Sequence, residues 1–182
     1  MTEDIHIREA MREDAESIAT LQLRTWQSAY VNIFPEDKLA SLDEELPLRI
    51  ERWNSIVRDS TDRASAVFVA ETSTGEVIGF ANGGKQLKPK FPQDAELFAI
   101  YILPEYHREG IGRRLLSTVS VELRKLGYSS LLLWVLTENS SSRGFYEHLG
   151  GRFSGEDEYL RWGQTYKLAG YVWDSLETLI SE

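Results

Sequence analysis

The sequence predicts a mixed α/β domain built on a central, mostly antiparallel sheet that contains one parallel strand pair. Three stretches carry that prediction. Ala66 to Glu71 and Val77 to Ala81 are β-rich runs separated by Thr72-Ser73-Thr74-Gly75-Glu76, the composition of a hairpin with a Gly-containing loop. Between Ala95 and Val135 the chain reads strand, tight loop, amphipathic helix, apolar strand, an order that implies parallel pairing through a right-handed crossover. Arg152 to Glu158 and Thr165 to Trp173, turning about Gly163, read as a second antiparallel hairpin.

The remaining elements follow in chain order. Ile5 to Arg8 is a short strand, and Asp14 to Tyr30 is helical, with Ala15, Ile18, Ala19 and Trp26 on roughly one side. Pro35 suits the first turn of a short helix through Leu42, because that position needs no backbone N–H. A further helix starts near Pro47, where Ile50, Trp53 and Val57 recur at helical steps. Lys85 to Asp94, holding Pro89 and Pro92, is expected to be a mobile loop. Ala95 to Leu103 is a strand stopped by Pro104, and Ile111, Leu115, Val119, Leu123 and Leu126 keep helical spacing over Gly110 to Leu126. Leu131-Leu132-Leu133-Trp134-Val135 has the nearly continuous apolar character of a strand covered on both faces. Ser140 to Leu149 is a last helix, closed by Gly150 and Gly151 as a left-handed cap, and Asp174 to Ile180 reads as a frayed helical tail.

Bulk properties bound the function. The 182 residues fit one domain of the usual ~100–200, and no repeat or shift of composition divides them, so residues 1–182 are expected to form a single domain. No apolar stretch approaches the ~20 residues of a membrane span. Met-Thr-Glu-Asp-Ile-His at the start carries acidic residues where a secretory signal is basic, so a cytoplasmic location is expected. The absence of cysteine excludes disulfides, thiolate metal ligands and thiol nucleophiles, and His6, His107 and His148 are not paired at zinc spacing, so no metal is expected. A formal charge of -9 argues against a nucleic-acid surface and favours a cationic substrate.

The most informative run is His107-Arg108-Glu109-Gly110-Ile111-Gly112-Arg113-Arg114-Leu115, where a strand ends and a strong helix begins. Two glycines there let backbone approach a ligand closely, and the first helical turn offers unpaired N–H groups and a dipole suited to an anion. Arg108, Arg113 and Arg114 add local positive charge. The pattern lacks Gly-Lys-Ser/Thr and the third glycine of the dinucleotide fingerprint. Its plain structural reading is a tight strand-to-helix turn.

This run resembles the signature Gln/Arg-x-x-Gly-x-Gly/Ala of the GNAT superfamily of acyl-CoA-dependent N-acyltransferases. Glu96-Leu97-Phe98-Ala99-Ile100-Tyr101-Ile102-Leu103-Pro104 before it is similar to the family's fourth strand and its exit. Leu133-Trp134-Val135-Leu136-Thr137-Glu138-Asn139 and Phe145-Tyr146-Glu147-His148-Leu149-Gly150 after it are similar to the second block. His107 departs from the pattern, standing at the usual Gln/Arg position.

The resemblance implies a fold with helices on both faces of the sheet and a splayed parallel pair that receives acetyl-CoA as co-substrate. Backbone amides across Arg108, Glu109, Gly110, Ile111, Gly112 and Arg113 would hold the pyrophosphate, with His107 beside them. Tyr101 and Ile102 would pair with the pantetheine arm as with an added strand. Asn139 would bond the same arm or cap the helix that follows it. Tyr146 would be the general acid for the departing thiolate, Glu96 the base or water-positioning carboxylate, and amides on the fourth strand would polarise the carbonyl. Trp26, Tyr30, Phe34 and Trp53 would line the acceptor pocket or simply be core. His6 and His148 read as surface or packing residues and Glu156-Asp157-Glu158 as a solvated turn. The expected activity is transfer of acetyl to a primary amine of a small molecule or peptide by direct attack in a ternary complex. Its rivals are transfer of a longer acyl group, a non-catalytic CoA-binding module on the same fold, or an unrelated ligand. A homodimer is one assembly the resemblance allows.

Overall fold

The computed structural model of the protein describes residues 4–180. The chain runs β1 (Ile5–Glu9), α1 (Ala15–Ala29), α2 (Glu36–Ala40), α3 (Leu46–Arg58), β2 (Ala66–Thr72), β3 (Val77–Lys85), β4 (Ala95–Ile102), α4 (Ile111–Lys125), β5 (Leu131–Leu136), α5 (Ser140–His148), β6 (Arg152–Arg161) and β7 (Gln164–Trp173). The strands form one sheet in the order β1-β2-β3-β4-β5-β7-β6. Neighbours are antiparallel apart from β4 and β5, the pair joined through α4. No helix among the described residues is long and apolar enough to cross a membrane.

Helices cover both faces, and adjacent residues of β3 show how. A Cβ at Gly79 would meet Leu115 of α4 at 3.3 Å. Phe80, which a strand points the other way, packs edge-on against Trp53 of α3 at 4.9 Å between ring centroids. The apolar stripe of α4 is buried at Ile111, Leu115, Leu116, Val119 and Leu123, each worth about 1.5–3 kcal/mol of transfer free energy. A second apolar cluster joins Leu23, Tyr30 and Phe34 of the N-terminal helical region to Leu136 of β5 and Tyr166 of β7.

The parallel pair is short by construction. Strand β4 stays paired with β3 as far as Ile102, and β5 with β7 as far as Leu136. Between β4 and β5 only Ala95↔Leu131, Glu96↔Leu132 and Leu97↔Leu133 are in register. Asp94 pins the closed end: its carboxylate accepts from the Ser129 and Ser130 N–H groups at 2.9 Å each and from both hydroxyls at 2.9 Å. Beyond Leu97 the strands part. A register shift against β3 at Asn82/Gly83 leaves Phe98 as the extra residue of a bulge at that point.

Several local expectations are corrected. The acidic run Glu156-Asp157-Glu158 lies within β6 and pairs with Ala169, Leu168 and Lys167, so it is strand and not turn. The turn is Trp162-Gly163, both with positive φ, the two-residue geometry that matches strand twist. Pro35 precedes α2 rather than opening it. The tail after Trp173 ends in a short tight turn at Leu176–Thr178 whose Leu176 and Leu179 are buried, so burial anchors what polarity alone suggested would fray. Gln86, buried after β3, donates to the Gln93 carbonyl at 2.7 Å and accepts from the Lys90 N–H at 2.9 Å, ordering the loop between Lys85 and Asp94. Gly150 alone of the pair after α5 has positive φ.

Candidate active site

Where β4 and β5 part, a cleft of about 1160 Å³ opens, walled by β4 from Leu97 to Ile102, by β5 from Leu133 to Leu136 and by the start of α4. One end presents backbone amides suited to an anion. The first intrahelical bond of α4 runs from the Arg114 N–H to the Gly110 carbonyl, which leaves the N–H groups of Ile111, Gly112 and Arg113 without a helical partner. Gly110 takes φ +77°, and Arg108 also has positive φ, so the loop turns its amides along the cleft. A Cβ at Gly112 would stand 3.1 Å from both Ile102 and Phe145, so this glycine also lets α4 seat against the parted strands.

The side chains of the run divide. His107, Arg108 and Arg113 line the cleft, and Arg114 does not: its guanidinium donates to the Ile5 carbonyl at 2.7 Å, tying α4 to β1. Glu109 is exposed and outside the wall, so its backbone alone is available to the cradle. His107 Nε2 lies 3.0 Å from the Ile102 carbonyl, and because a carbonyl only accepts, Nε2 carries the proton. The residue that departs from the family pattern therefore steadies the end of the β4 edge.

Tyr101, Ile102, Asn139 and Tyr146 all meet in the wall. Asn139 caps α5, its Oδ1 accepting from the Ser142 N–H at 3.1 Å. Tyr146 packs among Phe145, Tyr171 and Trp173. Burial, reinforced by the Tyr101 phenol, pushes its hydroxyl far above the usual tyrosine range, which favours the protonated form. Asn82 of β3, in register with Ala99 at the parting point, is buried with its Oδ1 unpartnered and lines the same cleft.

Glu96 stands outside this wall, next to its first residue Leu97, and its Oε2 accepts from the Leu87 N–H at 3.1 Å. Burial raises its carboxyl above the ordinary glutamate value, with the Leu87 N–H and Lys88 pulling partly back.

The opposite end is aromatic and basic. Trp26, Tyr30, Phe34 and Trp53 all line it and are also packed, Phe34 sitting 5.1 Å from Tyr30 and 4.8 Å from Tyr166 between centroids, so pocket and core share the same rings. The Tyr30 and Tyr101 hydroxyls are 3.3 Å apart. Sequence reasoning missed Glu45, Arg49, Arg52, Tyr159 and Arg161, which complete this end. Glu45 and Arg49 carried a weak signal as an i,i+4 pair; Arg161 reaches Glu45 across 116 positions and carried none. His148, read as a surface or packing residue, is exposed and stands in the cleft wall.

A family model described as "Acetyltransferase (GNAT) family" matches residues 20–151. The chain is 34% identical over 176 residues, 96% of each chain, to a Bacillus subtilis protein described as "Uncharacterized N-acetyltransferase YuaI". To the spermidine N(1)-acetyltransferase of Thermoplasma acidophilum it is 29% identical over 153 residues, 84% of this chain and 91% of the relative. The crystal structure of the PaiA N-acetyltransferase from Thermoplasma acidophilum in complex with coenzyme A matches it with a TM-score of 0.72 at 25% identity, over 91% of this chain and 98% of that one.

Proposed function

The chain belongs to the GNAT family of acetyltransferases, and from that premise we propose that it moves an acetyl group from acetyl-CoA directly to a primary amine held in the same cleft. The observation that carries this reading is the parting of β4 from β5 beside unpaired amides at the start of α4. The residues present fit the co-substrate. Amides from Arg108 to Arg113 would take the pyrophosphate, with the Arg108 and Arg113 side chains beside it. The β4 edge at Tyr101 and Ile102 would pair with the pantetheine amides.

Bound there, acetyl-CoA supplies an activated thioester. Amides at the Phe98 bulge would polarise its carbonyl, and Tyr146, kept protonated by burial, would hand its proton to the departing sulfur. The wall holds one acidic side chain among the described residues, Glu45. Burial would raise its carboxyl, but Arg161 and Arg49 outweigh that and hold it below the ordinary glutamate value, which makes it a poor base. Glu96 shifts the opposite way, so the amine proton would leave through water with Glu96 as its final acceptor. Tyr146 in the wall supports catalysis over a non-catalytic CoA-binding role. The expected setting is a soluble cytoplasmic enzyme acting as one domain.

The test is a thermal-shift titration with acetyl-CoA, CoA and inorganic phosphate on wild type and on Arg108→Glu/Arg113→Glu, followed by detection of free CoA thiol in the presence of amines. A concentration-dependent rise with CoA ligands in wild type, much reduced in the variant, is expected. No shift in folded wild type at millimolar acetyl-CoA would remove the acetyltransferase reading.

A further inference from the structure

The acceptor end of the cleft has a charge opposite to that of the whole chain. The protein carries a formal -9. Yet Arg49, Arg52 and Arg161 line this end against Glu45 alone. Glu45 is already engaged: Arg161 Nη2 reaches its two oxygens at 2.6 and 2.7 Å, and Arg49 Nη2 donates to it at 2.9 Å. Arg161 Nε is buried and finds no acceptor. Arg52, exposed on α3, makes no ion pair or hydrogen bond among the described residues.

Arg52 and Arg161 therefore retain donors with no acceptor among the described residues, and Arg161 lies between the Trp162 ring, 4.5 Å from its guanidinium carbon, and the Trp26 ring that it and Arg49 flank at 5.8 and 4.7 Å. The same arginines bear on one phenol: burial pushes Tyr159 up, and Arg161, Arg49 and Arg52 pull it back toward ionisation. An ammonium chain entering here would meet repulsion, whereas an oxyanion would meet paired donors in a partly desolvated wall.

We propose that the acceptor is an amine that also carries an oxyanion, of the amino-acid type, with the oxyanion held by Arg52 and Arg161 and the nitrogen presented to the thioester. This rests on the acetyltransferase reading above and names the substrate class of that site. The unpartnered Asn82 Oδ1 in the same cleft supplies an acceptor for the amine N–H. The positive wall also disfavours the ammonium form, leaving more of the nitrogen neutral for attack. A polyamine is the wrong class for this wall, although one relative is a spermidine acetyltransferase.

The experiment measures release of CoA thiol with wild type, Arg52→Ala and Arg161→Lys against L-amino acids, the matching amino-acid amides, an aminoalkylphosphonate and spermidine, with acetyl-CoA thermal shifts recorded in parallel. Carboxylate- or phosphonate-bearing amines are expected to exceed their amides by roughly tenfold or more in kcat/KM, the scale of one charge-assisted bond. Arg52→Ala, which breaks no hydrogen bond or ion pair among the described residues, is expected to erase that preference through KM for the amine while KM for acetyl-CoA holds. Preference for spermidine or for the amides, with the acetyl-CoA shift intact, overturns this inference alone. Loss of the acetyl-CoA shift in wild type overturns the acetyltransferase reading and this inference with it.

Discussion

At the scale of single residues, the two ionisable groups assigned to proton transfer are distinguished by what burial does to each. Tyr146 is pushed far up and so remains a donor, while Glu96 is raised toward neutrality from the other side and so becomes a better base than an exposed carboxylate. Tyr146→Phe should lower kcat by ~10²–10⁴ with little change in the acetyl-CoA thermal shift. Wild-type kcat should climb with pH as the Glu96 carboxylate forms, through a value above the ordinary ~4.3 of glutamate, and Glu96→Gln should lose that limb. Stopped-flow or steady-state pH profiles of both variants check the pair, and an unchanged acid limb in Glu96→Gln would return the proton to bulk water. The position of Tyr146 in the cleft wall was legible from the resemblance carried by the Phe145-Tyr146 block. The position of Glu96 beside the wall was not, because a strand bulge at Phe98 resets which side chains face the opening.

At the scale of elements, the cleft exists because β4 and β5 are fastened at one end and claimed by different neighbours at the other. Asp94 is the fastening. Burial would raise its carboxyl, but the Ser129 and Ser130 donors outweigh that and hold it below the usual aspartate range, as the Arg8 pair does for Asp14 near α1. For a carboxyl depressed in the folded state, the stability it adds is fully present above its unfolded pKa of about 4 and is lost as pH falls through the lower folded value. Asp94→Ala should therefore cost about 2 kcal/mol at neutral pH, judged from charged hydrogen bonds, and lose less on acidification below about pH 4 than wild type does. Urea midpoints across that range test it, and a variant as acid-sensitive as wild type would place the fastening elsewhere. The helices and most strands were readable because their apolar periods are local. The acidic run in the middle of β6 was misread as a turn because charged residues such as Glu156 and Glu158 occur on an edge strand as readily as in a turn.

At the scale of the whole molecule, net charge and site charge have opposite signs. Arg108 and Arg113, which line the cleft, would act on a phosphate at close range, well within the ~10 Å screening length of 0.1 M salt. The affinity for acetyl-CoA should accordingly fall as salt rises, despite the formal -9, and calorimetric titration at two ionic strengths reads the sign directly. Affinity that grows with salt would mean that the overall charge governs binding. The sequence by itself determined the sheet's mixed pairing, the helix that follows β4 and the glycines at its start, since each depends on residues adjacent or at fixed spacing along the chain, while Tyr146 was singled out by the family resemblance. Only the tertiary structure decided that Arg114 turns from the cleft to Ile5, that Glu96 stands outside the cleft lining, and that Arg49, Arg52 and Arg161 gather at its aromatic end. The physical reason is distance in sequence: Arg161 and Glu45 become neighbours when the end of β6 is brought to the residue that caps α3, a contact no local period encodes.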